Sequence, residues 1–87
     1  MTPPLELDVS ELPPPEPMER ILNALESLPA GEFLCVHHSR QPWPLFDVLA
    51  TLDYAYQMRE LAATAFEIRI WRAADTRAAL SAQQLAV

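Results

Sequence analysis

The chain's 87 residues leave room for a single hydrophobic core, and half of them are apolar, a globular composition and not a disordered one. A net charge of −6 with no lysine excludes the cationic surface that drives non-specific nucleic-acid binding or attachment to anionic lipid. One cysteine, Cys35, rules out an internal disulfide and fits a reducing compartment, and no apolar run approaches the roughly 18 residues that cross a bilayer.

Met1 to Pro4 lead into an acidic, proline-rich stretch without the basic region and apolar run of a signal peptide, so a cytoplasmic location and a flexible 1–4 segment are expected. Leu5 to Val9 alternate apolar and acidic residues, as a half-buried strand does. Pro13, Pro14, Pro15 and Pro17 forbid helix before Pro15 but are tolerated in a first turn, which places the start of helix 1 there. Met18, Ile21, Leu22, Leu25 and Leu28 form its apolar stripe, Glu16 and Glu19 sit in the first turn, and Pro29-Ala30-Gly31 ends it. The continuous apolar run Phe33–Val36 predicts a central strand, followed by a loop from His37 to Gln41.

Pro42-Trp43-Pro44 repeats the proline-opened helix start, with Leu45, Val48, Leu49 and Leu52 as the stripe of helix 2. Tyr54–Glu60 and Thr64–Arg72 read as two strands joined through Leu61-Ala62-Ala63 in a hairpin. In the second of them Phe66, Ile68 and Ile70 share one face, and Glu67, Arg69 and Trp71 the other. From Ala73 onward, residues 73–87 are alanine-rich with little periodicity, giving either a frayed helix or a disordered tail. The order β-α-β-α-β-β predicts an α/β (α+β) two-layer sandwich over residues 5–72. Its four-stranded mixed sheet has a parallel first pair and carries both helices on one face. The opposite face is then uncovered, with Trp71 or a tyrosine available there for a protein partner or self-association.

The segment Leu7-Asp8-Val9-Ser10-Glu11-Leu12-Pro13-Pro14-Pro15-Glu16-Pro17-Met18 resembles the signature of the TusA sulfur carriers, Leu-Asp-x-Arg-Gly-Leu-x-Cys-Pro-x-Pro. The element order and length are similar too. Pro14 falls on the sulfur-carrying cysteine, Ser10 on the arginine and Glu11 on the glycine. A closer resemblance is to a bacterial TusA-related family of unknown function that shares the proline for cysteine. Its similar features here are Gln41-Pro42-Trp43-Pro44-Leu45 and the closing Ile68-Arg69-Ile70-Trp71-Arg72. This resemblance implies a fold, and a module that meets partner proteins, without persulfide chemistry at Pro14.

Parallel first and second strands bring the proline turn and the 37–43 loop to one sheet edge, the carboxyl-end position that α/β proteins use for ligands. His37, His38, Arg40, Trp43 and Glu16 are therefore the candidate ligand-binding residues. Arg40 suits an anion or small acidic ligand, although the prolines remove N–H donors. His37 and His38, with Cys35, are the residues available to a metal or haem, but strand alternation turns His38 away from the other two. Cys35 within an apolar strand is poorly placed for sulfur relay. A structural role, with the histidines bonding the loop and Trp43 stapling the start of helix 2, competes with all of these. No nucleophile with a positioned base is evident, so a non-enzymatic binding or interaction module is expected in preference to a redox accessory protein or a sulfur relay.

Overall fold

The computed structural model describes residues 5–84; the 1–4 segment and the last three residues of the tail lie outside them. The elements are β1 (Leu5–Asp8), α1 (Glu16–Glu26), β2 (Leu34–His38), α2 (Trp43–Thr51), β3 (Tyr54–Ala62), β4 (Ala65–Arg72) and α3 (Thr76–Gln84). The strands lie in the order β1-β2-β4-β3. β1 runs parallel to β2 through the α1 crossover, and β4 is antiparallel to both of its neighbours. The expected fold class is therefore what forms: a mixed four-stranded sheet carrying α1 and α2 on one face.

The main core lies between that face and the two helices. Ile21 and Leu25 of α1, Leu45 and Leu49 of α2, Leu34 and Val36 of β2, and Ile68 and Ile70 of β4 are all within 1% of complete burial. Alternation along β4 is as the sequence predicts, with Ile68 and Ile70 in this core and Trp71 on the other side. In α2 the buried stripe is Leu45, Phe46 and Leu49. Leu52, assigned to it from spacing, is the exposed C-cap residue, and Phe46 takes the inward place and stacks on Tyr56 with centroids 4.2 Å apart. α1 stops at Glu26, three residues before Pro29, with Ser27 as its C-cap; Leu28 is still buried. The Arg72 guanidinium donates to the Leu28 carbonyl at 2.7 Å, satisfying an acceptor in the turn that follows α1.

The largest correction concerns the other face of the sheet. Of the two readings of the 73–87 segment, its described residues take the helical one: α3 is seated on that face, with Ala78 and Ala82 fully buried against Phe33, Cys35 and Trp71. Trp71 is only 6% exposed and offers no open interaction surface. Both tyrosines lie on the opposite side: Tyr54 packs on the main core, and its hydroxyl donates to the Leu25 carbonyl. Small alanine side chains let the helix approach closely, and its two ends are tied by polar groups. Asp75 caps the start, accepting from the Ala78 N–H at 3.0 Å and from the Gly31 N–H at 2.7 Å. These bonds to Gly31 and Ala78 hold the Asp75 carboxyl below its usual range. At the other end, the Arg69 guanidinium donates to the Ala82 carbonyl at 2.7 Å.

Gly31 is the turn residue through which α3 is fastened. Its φ of +82° favours glycine, and a Cβ there meets the Arg77 Cδ at 2.8 Å. Gly31→Ala is expected to lower stability by about 1–2 kcal/mol, read as a lower urea midpoint at constant m-value. An unchanged midpoint would mean that this turn and Arg77 relax freely.

Candidate functional site

β2 runs two residues further than its apolar stretch suggests. His37 and His38 belong to the strand and not to a loop, because both pair with β4, opposite Glu67 and Phe66. Consecutive strand residues face opposite sides, so the two histidines enter different surroundings.

His38 points to the helix side and is buried. Its Nδ1 accepts the Arg40 backbone N–H at 3.2 Å, which fixes the chain as it turns toward α2. It lines a groove of about 390 Å³ at the carboxyl ends of β1 and β2, between the starts of α1 and α2. The walls are Pro14, Pro15 and Pro17 on one side and Pro42 and Pro44 on the other. Ile21 and Leu45 provide buried apolar surface within it, while Arg40 and Gln41 stand at the rim. The size falls in the range of small-ligand pockets. The proline turn and the loop after β2 are thus neighbours, as parallel strands require.

The helix starts offer the groove few N–H donors for an anion. Each helix has proline at its second position, and the N–H groups of Glu16, Trp43 and Leu45 already donate to the carbonyls of Pro13, Gln41 and Pro42. The polar side chains in its lining are those of His38, Arg40 and Gln41. Among the lining residues there is no Ser, Thr or Cys to act as nucleophile.

Burial, reinforced by the Arg40 charge, holds the His38 imidazole below its ordinary pKa. An unfolded chain then binds more protons than the folded one between the lowered folded value and about 6.5. This contribution to stability is fully present above pH 6.5 and is lost as the pH falls below it. His38→Gln is expected to flatten that part of the denaturation midpoint's fall between pH 7 and pH 5. An identical slope in the variant would show that other groups set the response.

The remaining sequence candidates lie elsewhere. Glu16 is an exposed first-turn carboxylate outside the groove. Trp43 is 62% exposed and meets Phe46 edge-on with centroids 5.5 Å apart, so it braces the outer surface of α2 and not the groove. His37 emerges on the α3 side of the sheet, beside Cys35 and Glu6. Cys35 is buried, and its thiol is pushed up first by burial and then by the Glu67 carboxylate. That environment opposes the thiolate needed for sulfur transfer. Glu6 drew no attention in the sequence except as one of a strand's alternating polar residues. Its place beside Cys35 follows from the β1–β2 register, which periodicity alone does not give.

A family model described as an uncharacterised conserved protein, DUF2249, matches residues 6–72. The chain belongs to that family. No curated protein and no solved structure matches it. The DUF2249 match spans the sheet, α1 and α2 together with both walls of the groove, and ends before α3. Among the described residues no helix is long and apolar enough to cross a membrane.

Proposed function

We propose that this chain is a non-enzymatic binding module. In this reading it is a TusA-like domain, in which the corner that carries the reactive cysteine in sulfur carriers has become an apolar wall. The observation that carries the proposal is the groove itself, a concave and mostly apolar site with one cationic side chain at its rim and no Ser, Thr or Cys in its lining. Such a site suits an apolar group ending in an anion or hydrogen-bond acceptor, with the body against Pro14, Pro17 and Ile21 and the end toward Arg40. Its setting is the cytoplasm, and its occupant is presented by, or passed to, a partner protein.

The test is titration of the isotope-labelled chain with a medium-chain carboxylate and with the alcohol of equal length, followed by NMR. The carboxylate is expected to shift the Met18, Ile21 and Leu45 methyl resonances at lower concentration than the alcohol does. Arg40→Ala should abolish that preference while leaving the apolar response. If neither compound moves these signals at millimolar concentration, the groove is not a ligand site. Turnover of any substrate that is abolished by His38→Ala would overturn the non-enzymatic assignment.

A further inference from the structure

On the sheet face opposite the groove, three donors of different chemistry converge. Glu6 of β1 lies directly across from Cys35 of β2, and His37 follows two residues later, so all three side chains emerge on the α3 side. The Cys35 Sγ and His37 Nε2 are 4.0 Å apart, and the His37 Nε2 and Glu6 Oε1 are 3.8 Å apart. All three donor atoms fall within 4.8 Å of one another.

We propose that Glu6, Cys35 and His37 form a binding site for a divalent transition-metal ion of the zinc class, with a fourth position open to solvent. A tetrahedral ion with bonds of about 2.3 Å to sulfur and about 2.0–2.1 Å to nitrogen and oxygen sets its donors roughly 3.3–3.6 Å apart. The two contacts made by His37 therefore need to close by about half an ångström, and Glu6 and Cys35, within 4.8 Å of each other, by at most a little over one. The side chains that must move are free to do so, since Glu6 is 67% and His37 37% exposed. The buried Cys35 supplies the fixed point. A sulfur, nitrogen and oxygen donor set excludes calcium and magnesium, which take oxygen ligands, and suits zinc or cobalt.

A surface contact between His37 and Glu6 explains two of these residues and is worth little by itself. The cysteine sulfur that shares this point also packs beneath α3 and meets Arg69, so its burial is accounted for, but its approach to both His37 and Glu6 is not. The charges around the thiol are mixed: the Glu6 and Glu67 carboxylates act on Cys35 in favour of a cation, while the Arg69 guanidinium, which hydrogen-bonds the thiol and is also bound to Glu67 at 2.9 Å and to the Ala82 carbonyl, opposes it. On binding, the thiol proton leaves to solvent as the metal–sulfur bond forms, with no redox change, so affinity rises with pH. Because Cys35 also packs beneath Ala78 and Ala82, an ion here stiffens the seat of α3 and raises the unfolding temperature. The site shares no residue with the groove and does not depend on the groove binding anything.

The purified full chain is to be titrated with Co2+ alone. The expected result is a thiolate-to-cobalt charge-transfer band in the near ultraviolet that saturates at one equivalent and is displaced by Zn2+. Cys35→Ser should remove the band. Glu6→Gln at an exposed position and His37→Ala at a half-buried one should leave metal-free unfolding nearly unchanged and weaken Zn2+ binding by at least the roughly 10–100-fold that loss of a supporting partner produces. His38→Gln, on the other face, should bind metal as the parent does. Absence of the band at stoichiometric cobalt overturns the proposal. So does a band and affinity unaltered by both His37→Ala and Glu6→Gln, since this leaves cysteine binding without the site.

Discussion

Arg69→Ala is expected to release helix α3 and to lower global stability by about 3 kcal/mol. Arg69 is buried on the α3 side of β4, with one guanidinium nitrogen on the Ala82 carbonyl at 2.7 Å and another on the Glu67 carboxylate at 2.9 Å. Truncating it removes a charged donor from a buried helix-end carbonyl and breaks an ion pair at once. Breaking such a buried pair ordinarily costs about 3–5 kcal/mol, and the lower end applies because Glu67 keeps Arg59 at 3.3 Å. A domain of this size has only roughly 4–13 kcal/mol in total, so the loss is a large share. Amide hydrogen exchange should then show α3 opening well below the free energy of β2 and β4, where the two elements open more nearly together in the parent. Arg69→Lys keeps the charge without the planar fork and should fall between them. If Arg69→Ala leaves α3 protection intact, the helix is held by its alanine packing alone.

Ile21→Ala should destabilise by about 3–4 kcal/mol, measured as the shift in urea midpoint. Ile21 is fully buried, packs in the main core and forms part of the groove wall. Removing three carbons forfeits about 0.8 kcal/mol each in transfer free energy, and the cavity left behind adds the rest. Ile21→Val should lose only about 0.5–1.5 kcal/mol. The larger truncation also deepens the groove, so a bulkier apolar ligand should gain relative to a slim one even as the fold weakens. A loss below about 1.5 kcal/mol for Ile21→Ala would mean that the core collapses into the space, and the groove's shape would then not be fixed by its walls.

The parts of the fold that could be read from sequence are those where local chemistry leaves one option. Two proline clusters open two helices because no other place in a helix accepts them. The alternation of Phe66, Ile68 and Ile70 with Glu67, Arg69 and Trp71 assigns the faces of β4, and the crossover through α1 makes β1 and β2 parallel. From that topology the position of the groove follows. Its membership does not: Trp43 and Glu16 lie at helix starts but face away from it, and a count of residues from the prolines cannot tell an inward from an outward direction. α3 was illegible for another reason. Ala78 and Ala82 are four residues apart, as a docked helix requires, but Ala73, Ala74 and Ala79 surround them, so the apolar stripe has no contrast with its neighbours. One signal was present, since Asp75 stands three residues before Ala78 as an N-cap should. What makes the segment dock is a shelf of Phe33 and Trp71 together with Arg69, all distant in sequence.

The alternation of β2 has a consequence for how this chain can vary. Cys35 and His37 serve one side of the sheet, while Leu34, Val36 and His38 serve the other. The strand is thus a two-sided key cut at single-residue pitch. Removing or inserting one residue between Cys35 and His38 exchanges the addresses of everything beyond it, delivering an imidazole to the wrong compartment while the composition hardly changes. In comparing members of the family, the spacing from Cys35 to the prolines of α2 should therefore be weighed as heavily as the identities of the residues it separates.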